Sequence, residues 1–192
     1  MRKIFFILAM FILVQHSHAE AGPFGTNMGD SPEKYKSAIK MNAIGTYYTK
    51  DLPHPHKKFK DYLLFFADKE LASVEAQTHT YDVRDIVSEF DELKDSLIKK
   101  YGNPSYDEFT DLLSLHPYWM HTKFPSHFGI KYVWFKVKKN DIKSIWLSIE
   151  RKSSSESSYY IKLEYLYNNF EEYLKFIDKE KERQDKSNLD AL

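Results

Sequence analysis

Apolar residues recur at helical spacing over residues 82–100. They form one stripe with a period of about 3.6 residues: Val83, Ile86, Val87, Phe90, Leu93, Leu97 and Ile98. Asp82 is a suitable N-cap for this stripe, and Lys99 and Lys100 complement the helix dipole at its C-terminal end. Gly102 and Pro104 then end the helical pattern. The sequence therefore predicts an amphipathic helix in this region.

Three shorter helices are predicted from cap residues and short apolar stripes. The first begins at Ser31 and Pro32, a cap followed by proline at the first helical position. The second begins with the capping-box pattern Ser-Tyr-Asp-Glu at residues 105–108 and ends before Pro117. The third begins at residue 168 or 169. Its buried stripe consists of Phe170, Tyr173, Leu174 and Ile177.

Six segments have the composition or the alternation of β-strands. They are residues 44–49, 60–66, 71–78, 130–138, 142–150 and 159–167. The last segment alternates most clearly, because every second residue from Tyr159 to Tyr167 is apolar or aromatic. Tight turns at residues 68–70 and 139–141 favour antiparallel neighbours. The pattern is typical of an α+β fold, and we expect an antiparallel sheet with helices packed on one face.

The order of elements indicates how the chain is organised. A helix, strands and a helix are followed by a second helix, strands and a helix, which predicts two similar halves at about residues 24–104 and 105–184. We expect both halves to form a single domain over residues 20–184. The polar segment 151–158 is interpreted as an exposed loop, and residues 185–192 as a charged flexible tail.

The first 19 residues have the layout of a secretory signal peptide. A basic pair at residues 2–3 precedes the apolar run at residues 4–14, and Ser17 and Ala19 supply the small residues before the cleavage point. We expect cleavage after Ala19, with Ala21 as the alternative. The apolar run is too short for a membrane-spanning helix, which needs about 20 residues. The sequence therefore predicts a periplasmic or secreted protein with no membrane span after cleavage.

Composition narrows the possible functions. The 42% hydrophobic fraction, with 14 Phe and 14 Tyr, is sufficient for a core. There is no cysteine, which excludes disulfides and a lipid-modified cysteine. The chain has 28 basic and 28 acidic residues, and loss of Arg2 and Lys3 leaves 26 against 28. Such a balance gives no basic face for nucleic acid, so we expect no nucleic-acid partner.

Three stretches carry a resemblance to known proteins. PFGTNMGDSPEKYK at residues 23–36, LPHPHKKFKDYLLFF at residues 52–66 and FDELKDSLIKKYGNP at residues 90–104 resemble a widespread group of uncharacterised secreted proteins of Gram-negative bacteria. The resemblance implies a shared fold and an envelope location, and it implies no activity. Members of that group often carry cysteines after the second strand and in the last helix, and this chain has none.

The start of the first of these stretches supports a second resemblance. A glycine followed by the Ser-x-Glu pattern at residues 31–33 and then by two strands is similar to the small outer-membrane assembly lipoproteins of the SmpA/OmlA type. Those proteins need a lipidated cysteine, which this chain lacks.

The segment at residues 116–128 is the candidate binding site. It combines aromatic side chains with histidines between two prolines, and its candidate residues are Tyr118, Trp119, Phe124, His116, His121 and His127. Exposed Trp and Tyr side chains are frequent hot spots of binding. The alternative interpretation is that these aromatic side chains fold inward and cover the end of the sheet.

The sequence favours a non-enzymatic binding or interaction module for an envelope protein or glycan. Inhibition of an exported toxin would belong to the same class. There is no G-x-S-x-G motif and no phosphate-binding glycine loop, so we assign no catalytic residue, cofactor or metal. The alternative is a metal-dependent or hydrolytic enzyme that uses the histidines of residues 116–128. A metal site would use imidazole nitrogens from this segment together with His54 and His56. The spacing is unfavourable for such a site, because His54 and His56 flank Pro55 in an extended stretch and would point to opposite sides.

Overall fold

A computed structural model describes residues 22–42, 44–81, 83–107, 131–135, 137, 139–151 and 159–190. These residues form an antiparallel sheet and two α-helices. The strands are β1 Ile39–Lys40, β2 Thr46–Thr49, β3 Phe59–Ala67, β4 Glu70–Thr78, β5 Tyr106–Asp107, β6 Lys131–Phe135, β7 Ile142–Arg151 and β8 Tyr159–Tyr167. The helices are α1 Val83–Tyr101 and α2 Phe170–Asp190, and short 3-10 turns lie at Pro23–Gly25 and Pro32–Lys34.

The sheet consists of two runs of consecutive strands that meet in its centre. The strand order is β1-β2-β3-β4-β8-β7-β6-β5, so β4 pairs with β8 across the middle. In this central pair Val74 lies opposite Tyr165 and Ala76 opposite Leu163. The predicted α+β class and the antiparallel sheet are confirmed. All six predicted strands are present in the described residues, with boundaries that differ by a few residues.

One face of the sheet carries the main core. The side chains of β8 that point to this face, from Tyr159 to Tyr167 at every second residue, are buried. Leu64 lies beside Val74, and Val74 beside Tyr165, so the same face continues across β3, β4 and β8. Helix α1 covers this face with the apolar stripe that the sequence predicts. Its buried members in the core cluster are Ile86, Phe90, Leu93 and Leu97.

Helix α2 packs against the opposite face. Its Tyr173 ring lies 5.7 Å from the ring of Phe65, measured between centroids. Phe65 neighbours Leu64 along β3 and therefore points to the other side of the sheet. The expectation that the helices share one face is not confirmed, nor is the division into two similar halves. The helices lie on opposite faces because β3 carries apolar side chains on both sides of the sheet, and each of these faces has to be covered.

The shorter predicted helices differ from the structure. The segment at Ser31 and Pro32 forms only the 3-10 turn Pro32–Lys34 before the chain enters β1. Tyr106 and Asp107 belong to strand β5, because they pair with β6 at the sheet edge instead of starting a helix. The rest of that predicted helix lies outside the described residues. Local cap signals are weak, and strand pairing overrides them here.

The C-terminal helix is longer than the sequence pattern predicts. It begins at Phe170, one or two residues after the predicted start at residue 168 or 169, and continues to Asp190 into the charged segment. Arg183 and Glu180 form an ion pair of 2.8 Å at a spacing of three residues, which supports helix in this polar stretch. The predicted loop after β7 falls almost entirely outside the described residues.

A buried hydrogen-bond group attaches the N-terminal turn to the sheet. Thr26 is fully buried, and its hydroxyl donates to the carbonyl oxygen of Pro23 at 2.6 Å. The hydroxyl of Tyr167, at the end of β8, lies 2.7 Å from the same Thr26 oxygen. Burial raises the pKa of Tyr167, so its hydroxyl remains protonated and can donate to Thr26. This contact holds the turn Pro23–Gly25 against the core.

We expect Tyr167→Phe to destabilise the protein by about 1–2 kcal/mol, the usual range for losing a buried hydrogen bond. The matched control is Tyr47→Phe, because the Tyr47 hydroxyl forms no hydrogen bond with a described residue. Denaturant unfolding of both variants measures the difference in the free energy of unfolding. Equal effects of the two substitutions would contradict a structural role for the contact between Thr26 and Tyr167.

Candidate functional site

The predicted binding residues lie outside the part of the chain that the structure describes. This applies to all six: Tyr118, Trp119, Phe124, His116, His121 and His127. Their segment connects β5 to β6 along the chain. The site at residues 116–128 therefore stays a prediction. The described residues instead form a cleft in another place.

This cleft has a volume of about 360 Å³ and lies beside helix α1. Four parts of the chain form its wall and floor. They are the N-terminal turn at residues 22–25, the loop residues His54, Pro55 and His56 with Phe59, the α1 residues Leu93, Ser96, Leu97 and Lys100, and the β8 residues Leu163 and Tyr165. Most of these side chains are apolar, and the polar ones belong to exposed residues, which places them at the rim.

Phe24 is the central side chain of the N-terminal wall. Its ring contacts Phe59, Tyr62 and Tyr165 edge to face, at centroid distances of 5.6, 5.1 and 5.8 Å. Its backbone has a φ of 56°, in the left-handed region that costs a non-glycine residue about 1–2 kcal/mol. Each aromatic contact contributes about 0.5–1.5 kcal/mol beyond the burial of surface. The three contacts therefore offset the backbone strain and fix the ring in the cleft wall.

The N-terminal turn and the loop at residues 53–56 are packed directly together. The backbone N–H of His54 donates to the carbonyl oxygen of Phe24 at 3.0 Å. Gly25 has a φ of 79°, and a Cβ at this position would lie 2.8 Å from the Cβ of Pro53. A side chain is therefore excluded at Gly25 both by backbone conformation and by space. This close approach defines one corner of the cleft.

His56 lies where the rim meets the apolar interior. Its ring centroid is 5.5 Å from that of Phe59, and its Nδ1 accepts a hydrogen bond from the backbone N–H of Lys58 at 3.3 Å. Burial lowers the pKa of His56, and the positive charges of Lys58 and Lys57 lower it further. His56 is therefore neutral at pH 7, and because its Nδ1 already accepts from Lys58, its Nε2–H is the group left to donate to a ligand.

The floor of the cleft is formed by buried, uncharged side chains. Tyr165 is buried, and this burial raises the pKa of its hydroxyl well above the usual range, with the neighbouring Tyr101 hydroxyl adding to the effect. Leu163 is buried beside it on the same face of β8. A group that enters the cleft therefore meets aromatic and aliphatic surface and loses its water. Polar interactions are confined to the rim.

The described lining residues include no carboxylate and no serine paired with a base. None of them is a carboxylate, and the Ser96 hydroxyl donates to the Glu92 carbonyl oxygen of its own helix at 2.8 Å instead of meeting a base. Among the described residues, no group of three or more His, Asp or Glu side chains is arranged to hold a metal ion. The cleft can enclose an apolar group and offer hydrogen bonds at its edge.

The chain matches no protein-family model, no curated protein and no solved structure. Within the described part of the chain, neither helix combines the length and the apolar character needed to cross a membrane. The interpretation of the cleft therefore rests on its own residues.

Sequence reasoning did not identify the cleft, although it identified the segments that form it. The three stretches on which the resemblance rests, at residues 23–36, 52–66 and 90–104, each contribute lining residues. They are far apart along the chain, and only the fold brings them together. The signal that could have indicated a shared site is that each stretch combines apolar residues with a turn or a helix end.

We expect Gly25→Ala to destabilise the protein by about 1–3 kcal/mol, because left-handed backbone strain and overpacking against Pro53 add up. Gly29→Ala is the matched control, since Gly29 has a similar φ of 76° and its added Cβ would meet no atom within 4 Å. Thermal unfolding compares the two variants. Amide exchange at His54 should accelerate only in Gly25→Ala, and equal destabilisation by both substitutions would contradict the packing argument.

The imidazole of His56 should titrate below the ordinary value of about 6.5. The unfolded chain therefore protonates His56 at a higher pH than the folded protein does. As the pH falls through about 6.5, the ordinary histidine pKa, the free energy of unfolding decreases, and this decrease ends below the pKa of His56 in the folded protein. Two-dimensional NMR measures the midpoint. Lys57→Gln should raise it, and Lys60→Gln, at an exposed position that does not perturb His56, should leave it unchanged. A midpoint above 6.5 would contradict the desolvation of His56.

Proposed function

We propose that the protein is a non-enzymatic binding module of the cell envelope, and that it takes an apolar group of a partner protein into the cleft beside α1. The observation that carries this proposal is the cleft itself, whose apolar interior is open to solvent and bordered by polar side chains. Binding sites commonly combine an apolar cavity with a few polar groups that fix orientation.

The size of the cleft supports the insertion of a side chain. Its volume of about 360 Å³ is more than twice the roughly 150 Å³ of an engineered cavity that holds benzene. A large apolar side chain therefore fits, with space left for the backbone that carries it. Phe24, Phe59 and Tyr165 supply the aromatic surface that such a group would contact.

The strained backbone at Phe24 also supports a functional role. Non-glycine residues in the left-handed region are concentrated at functional sites, where surrounding contacts hold them in place. Here the Phe24 ring is held by three aromatic neighbours, and the carbonyl oxygen of Phe24 is held by the N–H of His54. The cleft wall is therefore formed before a partner arrives, which reduces the entropic cost of binding.

Export belongs to the same proposal. The basic pair at residues 2–3, the apolar run at residues 4–14 and Ala19 support the removal of a signal peptide. Cleavage after Ala19 would leave Glu20 and Ala21 ahead of the buried Gly22. We propose that the folded protein then acts in the periplasm or outside the cell.

Site-specific photo-crosslinking in intact cells tests the proposal. A photo-reactive phenylalanine analogue replaces Ser96 at the rim of the cleft, and in the matched control it replaces the adjacent exposed residue Asp95 on the outer side of α1. We expect a discrete adduct with one envelope protein from position 96 and none from position 95. The additional substitution Leu97→Arg places a charge in the cleft and should abolish the adduct.

Two results would refute a binding role for the cleft. One is the same set of adducts from both positions. The other is no adduct from position 96 in cells that contain the folded, exported protein. Circular dichroism of each variant establishes that the fold is retained.

A further inference from the structure

One charged side chain stands among the described residues that line the cleft. It belongs to Lys100, and the described lining contains no carboxylate. It lies in the last turn of α1, with its Nζ atom 5.2 Å from the centroid of the Tyr101 ring. The described lining therefore offers an anionic ligand one basic side chain and no carboxylate.

Lys100 differs from Lys58 and Lys94 in its partners. The Nζ of Lys58 bonds to Glu89 and Glu92, and that of Lys94 lies 2.6 Å from Asp91. In the described part of the chain, Lys100 forms no ion pair, and its Nζ lies over the face of the Tyr101 ring. Its ammonium group can therefore accept an anionic partner without the loss of an existing salt bridge among these residues.

The remaining polar groups at the rim favour a peptide over a lipid. His54, His56 and Ser96 provide side-chain donors and acceptors on both sides of the opening. The amide groups of a peptide need such partners when they leave water, whereas a hydrocarbon chain does not. The C-terminal residue of a polypeptide carries its side chain and the terminal carboxylate on the same Cα. If this side chain is apolar, it can fill the interior of the cleft while the carboxylate lies at the rim.

We infer that the cleft recognises the carboxyl-terminal end of a partner polypeptide: the last side chain, which is apolar, enters between Phe24, Leu97 and Leu163, and the terminal carboxylate pairs with Lys100. This inference rests on the proposed function and specifies the group that is bound. Capture of a C-terminal carboxylate is an established mode of peptide recognition in which backbone N–H groups commonly bind the carboxylate. Here the Lys100 ammonium group would take that part.

Binding of short peptides to the exported full-length protein tests this inference. The probe is an N-acetylated tripeptide that ends in phenylalanine with a free carboxylate, and the comparison is the same peptide with a terminal amide. NMR titration measures both dissociation constants. We expect the acid to bind about two- to fivefold more tightly, which corresponds to about 0.4–1 kcal/mol for an exposed charge pair.

The variant Lys100→Gln should remove this preference and bind acid and amide with equal affinity. Lys99→Gln is the matched control, because Lys99 is also exposed, is the same residue type and is not among the lining residues of the cleft. It should retain the preference. The imidazole and amide signals of His54 and His56 should shift with the acid in the wild-type protein.

Three results would overturn the inference: equal affinity for acid and amide, equal loss of preference in Lys99→Gln and Lys100→Gln, or tighter binding of dodecanoate than of the peptide. If the crosslink at position 96 is present while acid and amide bind equally, only the inference about the chain end is wrong. If neither the crosslink nor peptide binding is observed, the proposed function is wrong as well.

Discussion

The pairing of β4 with β8 is the interaction on which the rest of the structure depends, because it joins two runs of strands that are far apart along the chain. Its register is set on both faces. On one face Val74 and Ala76 meet Tyr165 and Leu163, and on the other Gln77 lies opposite Lys162. A slip by one residue would exchange the faces and bring charged side chains into the core.

Charges on the second face stabilise the same register. Lys162 lies 4.0 Å from Glu75 and 3.6 Å from Glu150, and Glu75 is opposite Glu164 in the sheet. Burial alone would lower the pKa of Lys162, but the three carboxylates outweigh it and raise the pKa. Lys162 therefore stays charged and reduces the repulsion between Glu75 and Glu164. Its position specifies the pairing more than it adds stability, since such partly buried pairs contribute little net free energy.

Regular elements were predictable from the sequence because their signals are local. The apolar stripe of α1 and the alternation of β8 each reside within one segment, and both predictions are confirmed. The placement of the helices was not predictable. A strand such as β3, with Leu64 on one side and Phe65 on the other, needs cover on both faces, but its composition does not show which helix supplies it. Tyr106, which the capping pattern placed in a helix, belongs to a strand because it pairs with β6, and this pairing is not visible in the local sequence.

The cleft could not be predicted for a related reason. Its walls come from Phe24, Phe59 and Leu97, whose proximity depends on the packing of the whole domain and not on a spacing in the sequence. The left-handed backbone of Phe24, a residue that seldom adopts it, leaves no sequence signal.

Rigidity connects the fold to the proposed binding role. The floor of the cleft is a central strand of the sheet, one wall is the last turns of α1, and the opposite wall is the turn that Thr26 and Tyr167 attach to the core. Because the strand, the helix and the turn are fixed before binding, the entropic cost of binding would come from the partner and not from ordering the cleft. In the proposed binding role, interior packing would select an apolar group of suitable size, and the charge at Lys100 would select among such groups. Affinity and specificity would then be supplied by different parts of the cleft, the interior and the rim.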